Sequence, residues 1–255
     1  MLDLKSKVLS SKGPALLSTG QAGYIIKSSS GQLLAIDLYL SNCAERLEGH
    51  KGFKRLLPQI LDSTDLTFDV VICTHPHLDH FDIDAVPEMV SKGSKLFCSI
   101  DCEKLIHRLQ MDYYNDSITY VKPGDHYYSG DFEIAFVNCD HGSGAPDAVG
   151  VVITVNGKTI YEVGDSCLRL DRIDEIKDVA RDIDVLISPI NGMYGNMSSE
   201  DTVKLADKLK PKITIPCHYG MFASHGGDLK AFYDLMRENK LPMLIMQQGE
   251  EYRPW

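Results

Sequence analysis

The segment Thr74-His75-Pro76-His77-Leu78-Asp79-His80-Phe81-Asp82 constrains this chain more than any other. It follows the apolar run Phe68-Asp69-Val70-Val71-Ile72-Cys73, so a strand rich in Val and Ile stops at a row of imidazoles and carboxylates. Such an ending puts the polar residues at the carboxyl edge of a sheet, where α/β proteins tend to assemble their chemistry. His75, His77 and His80 offer neutral imidazole nitrogen and Asp79 offers carboxylate oxygen, a donor set that suits zinc or another first-row divalent ion. A single histidine is more often a satisfied core or surface group. Three histidines and an aspartate within the six residues 75–80 reverse that expectation. The backbone lets only two or three of these side chains converge, so further ligands must come from elsewhere.

Read in order, the chain alternates strands and helices with polar residues at strand ends. Residues 22–27 and 32–37 form a hairpin around Ser28-Ser29-Ser30-Gly31, and Asp37 ends its second strand. Asp37 is a candidate partner for a metal-bound histidine; the alternative is an Asp that merely starts the next loop. Residues 53–61 read as a short amphipathic helix, 82–90 as a helix with an acidic start, 95–99 as a strand, 101–110 as a helix and 118–121 as a strand. Strands are expected at 132–139, 149–155 and 158–163, the last two joined by the hairpin pair Asn156-Gly157. His141 and Asp165 follow these strands. A helix over 171–181, a strand over 183–189, a helix over 198–209 opened by the capping-box pattern Ser198-Ser199-Glu200-Asp201, and a strand over 212–217 complete the rhythm. His218 terminates the last strand. Residues 190–197 read as a loop too rich in Gly and Asn to pack.

Composition narrows the function. With 255 residues, 44% hydrophobic and 24% charged, the chain can bury a large core as a single domain spanning 1–255. The formal net charge of −10 speaks against a nucleic-acid surface, because phosphate backbones are held by clustered Lys and Arg. An anionic small molecule remains compatible, since a metal and a few local cations override the global field. No stretch of eighteen apolar residues and no signal-peptide pattern occur, so a cytoplasmic protein without membrane contact is expected. Seven cysteines without a CxxC pair argue against a disulfide or zinc-ribbon scaffold.

His141, Asp165 and His218 bring the candidate set to seven ligands, and five of the nine histidines fall in it. The order HxHxDH, His, Asp, His, each after a strand, resembles the metallo-β-lactamase superfamily over nearly the whole chain. The resemblance implies a four-layer αββα sandwich with two divalent ions, zinc or manganese, at the strand edge. His75, His77 and His141 would hold one ion, Asp79, His80 and His218 the other, and Asp165 would bridge them. Asp79 and Asp165 are thus the candidate catalytic residues as well as ligands: Asp79 would orient a hydroxide and protonate the leaving group. Residues 20–24, 36–41 and 216–222 look like the branch containing L-ascorbate-6-phosphate lactonase, a longer enzyme that uses manganese. This implies a hydrolase opening a sugar-acid or sugar-phosphate lactone, and self-association into a homo-oligomer is common in the family.

Asn191, Tyr194, Asn196 and His225 lie in loops that could face such a substrate, against the blander role of loop capping. Arg169 is a candidate anion contact with a surface ion pair as its alternative, and Cys167 a thiol near the metals with inert burial as its alternative. The rival activities are a phosphodiesterase or nuclease, disfavoured by the missing basic stripe, and flavo-diiron chemistry, disfavoured by His77 where that class has Glu. A non-enzymatic metal-dependent binding protein is disfavoured by the complete ligand set.

Overall fold

A computed structural model describes residues 4–255. Its first half comprises α1 (Leu4–Ser10), β1 (Ala15–Gly20), β2 (Gly23–Lys27), β3 (Leu33–Ile36), α2 (Cys43–Glu48), β4 (Val70–Cys73), α3 (Ala85–Ser91), β5 (Lys95–Ser99), α4 (Glu103–Arg108) and β6 (Ile118–Val121). Its second half comprises β7 (His126–Ser129), β8 (Phe132–Asn138), β9 (Val149–Val155), β10 (Lys158–Glu162), α5 (Ile173–Val179), β11 (Val185–Pro189), α6 (Ser199–Leu209), β12 (Ile213–Cys217), α7 (Leu229–Glu238) and β13 (Glu251–Tyr252). The strands form one seven-stranded sheet in the order β13-β1-β2-β3-β4-β5-β6 and one six-stranded sheet in the order β12-β11-β10-β9-β8-β7. Each sheet is antiparallel through its hairpins and parallel through its βα crossovers. The two halves therefore repeat one plan.

Alternation along the strands explains the layers, because successive side chains of a strand point to opposite faces. In β4, Val70 and Ile72 enter the core between the sheets, while Val71 and Cys73 pack outward against α3. In β9, Val149, Val151, Ile153 and Val155 face inward and Val152 faces the layer of α5, α6 and α7. Each fully buried Val or Ile contributes roughly 1.5–3 kcal/mol relative to exposure. These strands read as nearly continuous apolar runs because both faces are covered. The result is an αββα sandwich, and among the described residues no helix is long and apolar enough to cross a membrane.

Two expectations change. Residues 53–61 are not helical: Leu56 N–H donates to Met221 O at 2.8 Å, Ala223 N–H to Lys54 O at 2.9 Å, and Arg55 bridges to Phe222. Pro58 has no N–H to give a helix, and the backbone bonds of Lys54 and Leu56 go to Ala223 and Met221 instead. The loop over 190–197 is partly packed, with Ile190, Asn196 and Met197 buried. The capping box at α6 forms, Ser198 accepting from Asp201 N–H and the Asp201 side chain accepting from Ser198 N–H.

Candidate metal centre

The seven predicted ligands gather at one end of the sandwich, where both sheets present loops. His75, His77, Asp79 and His80 follow β4, His141 follows β8, Asp165 follows β10 and His218 follows β12. Hydrogen bonds set these loops: His80 N–H and Phe81 N–H both donate to His77 O within the first, Cys139 Sγ donates to Asp165 O at 3.1 Å between the loops after β8 and β10, and His218 N–H donates to Gln21 O at 3.1 Å. Gly164, just before Asp165, has φ +70°, and a Cβ there would stand 3.0 Å from Val149 O, so the turn requires glycine.

Two groups of ligand atoms result, each with all atoms within 4.8 Å of one another. One is His75, His77, His141 and Asp165; the other is Asp79, His80 and His218. His77 Nδ1 lies 2.9 Å from His75 Nε2 and 3.1 Å from His141 Nε2. Asp165 faces both groups: Oδ2 is 3.9 Å from His75 Nε2 and 3.8 Å from His141 Nε2, while Oδ1 is 3.3 Å from His80 Nε2 and 2.8 Å from His218 Nε2. Asp165 Oδ1, His80 Nε2 and His218 Nε2 are buried and make no hydrogen bond with acceptable geometry. Buried, unpartnered nitrogens gathered within 3.3 Å of one carboxylate oxygen fit a divalent cation, which supplies what hydrogen bonds do not.

Groups behind the ligands fix their orientation. His80 Nδ1–H donates to Asp37 Oδ2 at 2.7 Å, so His80 turns Nε2 to the cluster. Asp37 also accepts from Thr74 N–H at 2.8 Å and from the Thr74 hydroxyl at 2.6 Å. That hydroxyl, having given its proton to Asp37, can accept from His75 Nδ1, 3.0 Å away. Gln21 Nε2 donates to Asp79 Oδ2 at 2.9 Å and lies 3.0 Å from His218 Nδ1, tying the two sheets' ligands together. Asp82 is different in kind: it is fully buried and accepts from Leu40, Ser41, Asp84 and Ala85, so it holds the start of α3.

The electrostatics follow from burial. Burial and then the neighbouring His80 push His75 well below the usual imidazole range, and burial lowers His141 to about 4. Both are thereby held neutral, as metal ligation requires. Burial opposes charge on His80, yet Asp165, Asp37 and Asp79 outweigh it and raise its pKa. Burial likewise opposes charge on Asp165, and His218 and His80 outweigh it, holding the carboxyl well below its usual range. Glu162 lies beneath the cluster, fully buried, with Oε2 accepting from Gly164 N–H and Oε1 unpartnered; burial and then Asp37 raise its pKa well above the usual value.

A cleft of about 530 Å³ opens onto the ligands and is lined by His77, Asp79, His141, Asp165 and His218. Asn191, Tyr194, Asn196 and His225 all line it. Asn196 Nδ2 donates to Asn191 Oδ1 at 3.1 Å, while Asn196 Oδ1 is buried without a partner. His225 Nε2–H donates to Lys51 O at 2.7 Å, leaving Nδ1 an unpartnered acceptor. Phe53 packs against His225 at 4.8 Å and against Phe222 at 5.3 Å between ring centroids. Two sequence candidates lie elsewhere. Arg169 spends its guanidinium on Asp140 and Asp171, and neither it nor Cys167 lines the cleft. Sequence reasoning passed over Gln21 and Glu162; only Gln21 carried a signal, as part of the segment 20–24.

Fold and ligand arrangement together define the metallo-β-lactamase class of αββα sandwich. The pattern of the Beta-lactamase superfamily domain matches residues 39–219, and the chain belongs to this family. Among similar proteins is a UPF0173 metal-dependent hydrolase of Carboxydothermus hydrogenoformans, 26% identical over 196 residues, covering 73% of this chain and 82% of the relative. Another, from Thermus thermophilus, is 28% identical over 193 residues, covering 72% and 80%. Among solved structures, an isothiocyanate hydrolase from Delia radicum gut bacteria superposes with a TM-score of 0.75 at 22% identity, covering 94% of this chain and 98% of that one. The metallo hydrolase Igni18 from Ignicoccus hospitalis superposes with a TM-score of 0.69 at 23% identity, covering 94% and 97%.

Proposed function

We propose that this chain is a dinuclear metal-dependent hydrolase that opens a lactone of a sugar acid or sugar phosphate. The observation that carries the dinuclear reading is Asp165, whose two oxygens face two separate groups of ligand atoms. His75, His77 and His141 would hold one ion, and Asp79, His80 and His218 the other. Two ions, zinc or manganese, would supply a hydroxide at neutral pH and Lewis acidity toward a carbonyl oxygen.

The chain's own groups do the rest. Asp79, half-buried and held by Gln21, is placed to orient the nucleophile and to return its proton to the departing hydroxyl oxygen. Asp37 and Thr74 keep His80 and His75 in the tautomers that present Nε2. Asn196 Oδ1 and His225 Nδ1, acceptors without donors, suit a substrate rich in hydroxyl groups. The relatives named metal-dependent hydrolases support the reaction class, and the resemblance of segments 20–24, 36–41 and 216–222 to the lactonase branch is what favours a lactone.

The test is turnover of L-ascorbate 6-phosphate and of other sugar-acid lactones by protein loaded with Mn²⁺ or Zn²⁺, with metal content measured in parallel. Asp165→Asn is expected to lower bound metal and reduce turnover by at least about a hundredfold. Full turnover in that variant overturns the bridging role. Stoichiometric metal with no hydrolysis of any lactone leaves the site standing and removes the lactonase reading.

A further inference from the structure

We propose that Arg108 is an anion-recognising residue, and that the substrate carries a phosphate at a position separate from the bond that is cleaved. Arg108 ends α4 and is exposed, yet it lines the same cleft as the ligand cluster. Leu105, three residues earlier and so on the same helix face, lines the cleft as well. That face of α4 therefore forms part of the cleft.

The guanidinium of Arg108 is uncommitted. Among the described residues it makes no hydrogen bond or ion pair, whereas Arg46, Arg169 and Arg253 are each paired with carboxylates. The other cation of the cleft, Lys51, is tethered to Glu48 at 3.0 Å. In a chain of net charge −10, an unpaired arginine in an open cleft concentrates the local positive field where an anion must enter. Its planar fork matches the paired oxygens of phosphate and carboxylate.

The remaining cleft surface agrees with a ligand anchored at one end. Among the residues lining the cleft, Asn196 Oδ1 and His225 Nδ1 lack donors, not acceptors, so they do not compete for an anion. A molecule with hydroxyls along its length and one anionic terminus satisfies both sets of groups. The assignment rests on the hydrolase reading only for where the scissile bond lies.

Binding of 6-phospho-D-gluconate and D-gluconate to the metal-loaded protein, measured by calorimetry, tests this without needing turnover. The native chain should bind the phosphorylated acid at least about tenfold more tightly. Arg108→Ala should abolish most of that difference while leaving D-gluconate affinity unchanged, and Arg108→Lys should retain part of it. Equal affinity for the two acids in the native chain overturns the proposal. So does a preference that survives Arg108→Ala, which would mean that the phosphate is held by the metals. Because no hydrolysis is read, loss of the lactonase reading leaves this result interpretable.

Discussion

Asp37 and Glu162 are both fully buried behind the ligand cluster, and their hydrogen bonding separates their roles. Asp37 collects three donors, from Thr74 N–H, the Thr74 hydroxyl and His80 Nδ1–H, so its charge is compensated and passed on to a ligand. Asp37→Asn should weaken metal binding by about 10–100-fold, read by competition with a chromogenic chelator. Glu162 has a partner for only one oxygen, and burial with the nearby Asp37 keeps it protonated. The native state then holds a proton that the unfolded chain releases above a pKa of about 4.3, so stability falls as pH rises through that window. Glu162→Gln removes this slope of at most roughly 1.4 kcal/mol per pH unit. In denaturant titrations of metal-free protein the variant should gain stability relative to the native chain as pH rises above about 4.3, by no more than about that slope, and equal it near pH 4. Asp37 was legible in sequence because it ends an apolar strand. Glu162 was not, because what marks it is the nearby Asp37 and an unpartnered oxygen, and Arg108 was not, because only the fold brings the end of α4 to the cleft.

At the scale of elements, the strands were readable where burial on both faces produces apolar runs, as in β4, β9 and β11. The capping pattern before α6 was readable because its bonds are local to Ser198 and Asp201. Segment 53–61 was misread because its spacing of Phe53, Leu56, Leu57 and Ile60 mimics a helix while its bonding partners lie at 221–224. α7, missed altogether, is amphipathic, with Phe232 and Met236 buried and Asp228 accepting from Ala231 N–H. Arg55 holds the misread segment: Nη1 donates to Ser41 O at 2.6 Å and Leu40 O at 3.2 Å, and Nε donates to Leu57 O at 2.9 Å. The guanidinium also lies 4.8 Å from the Tyr39 ring centre. Arg55→Met leaves these carbonyls short of donors and should cost about 3 kcal/mol, measured by chemical denaturation. Phe53, carried by the same segment, would lose its place against His225, so weaker ligand binding should accompany the loss.

Across the whole molecule, the ligand cluster draws four residues from the loop after β4 in one sheet and three from loops after β8, β10 and β12 in the other. An ion bound there cross-links the two sheets. Free metal at 100 times its dissociation constant adds about 2.7 kcal/mol to folding stability. Removing metal with EDTA should therefore lower the thermal midpoint, and the midpoint should climb again with added Mn²⁺ or Zn²⁺ in a concentration-dependent way. The overall architecture was legible because ligands at strand ends and βα alternation both repeat. β1, β7 and β13 were not; β13 has only two residues and finds its place by pairing with β1 from the far end of the chain.

That last pairing joins remote parts of the chain: Leu16 sits opposite Tyr252 and Leu17 opposite Glu251. Until β13 docks, β1 is an open seam of buried-type residues with unpaired backbone groups. A two-residue strand is a weak latch, and peeling it away would bare the backbone groups along β1's outer edge. The contact that finishes the fold is thus also the thinnest closure of its larger sheet.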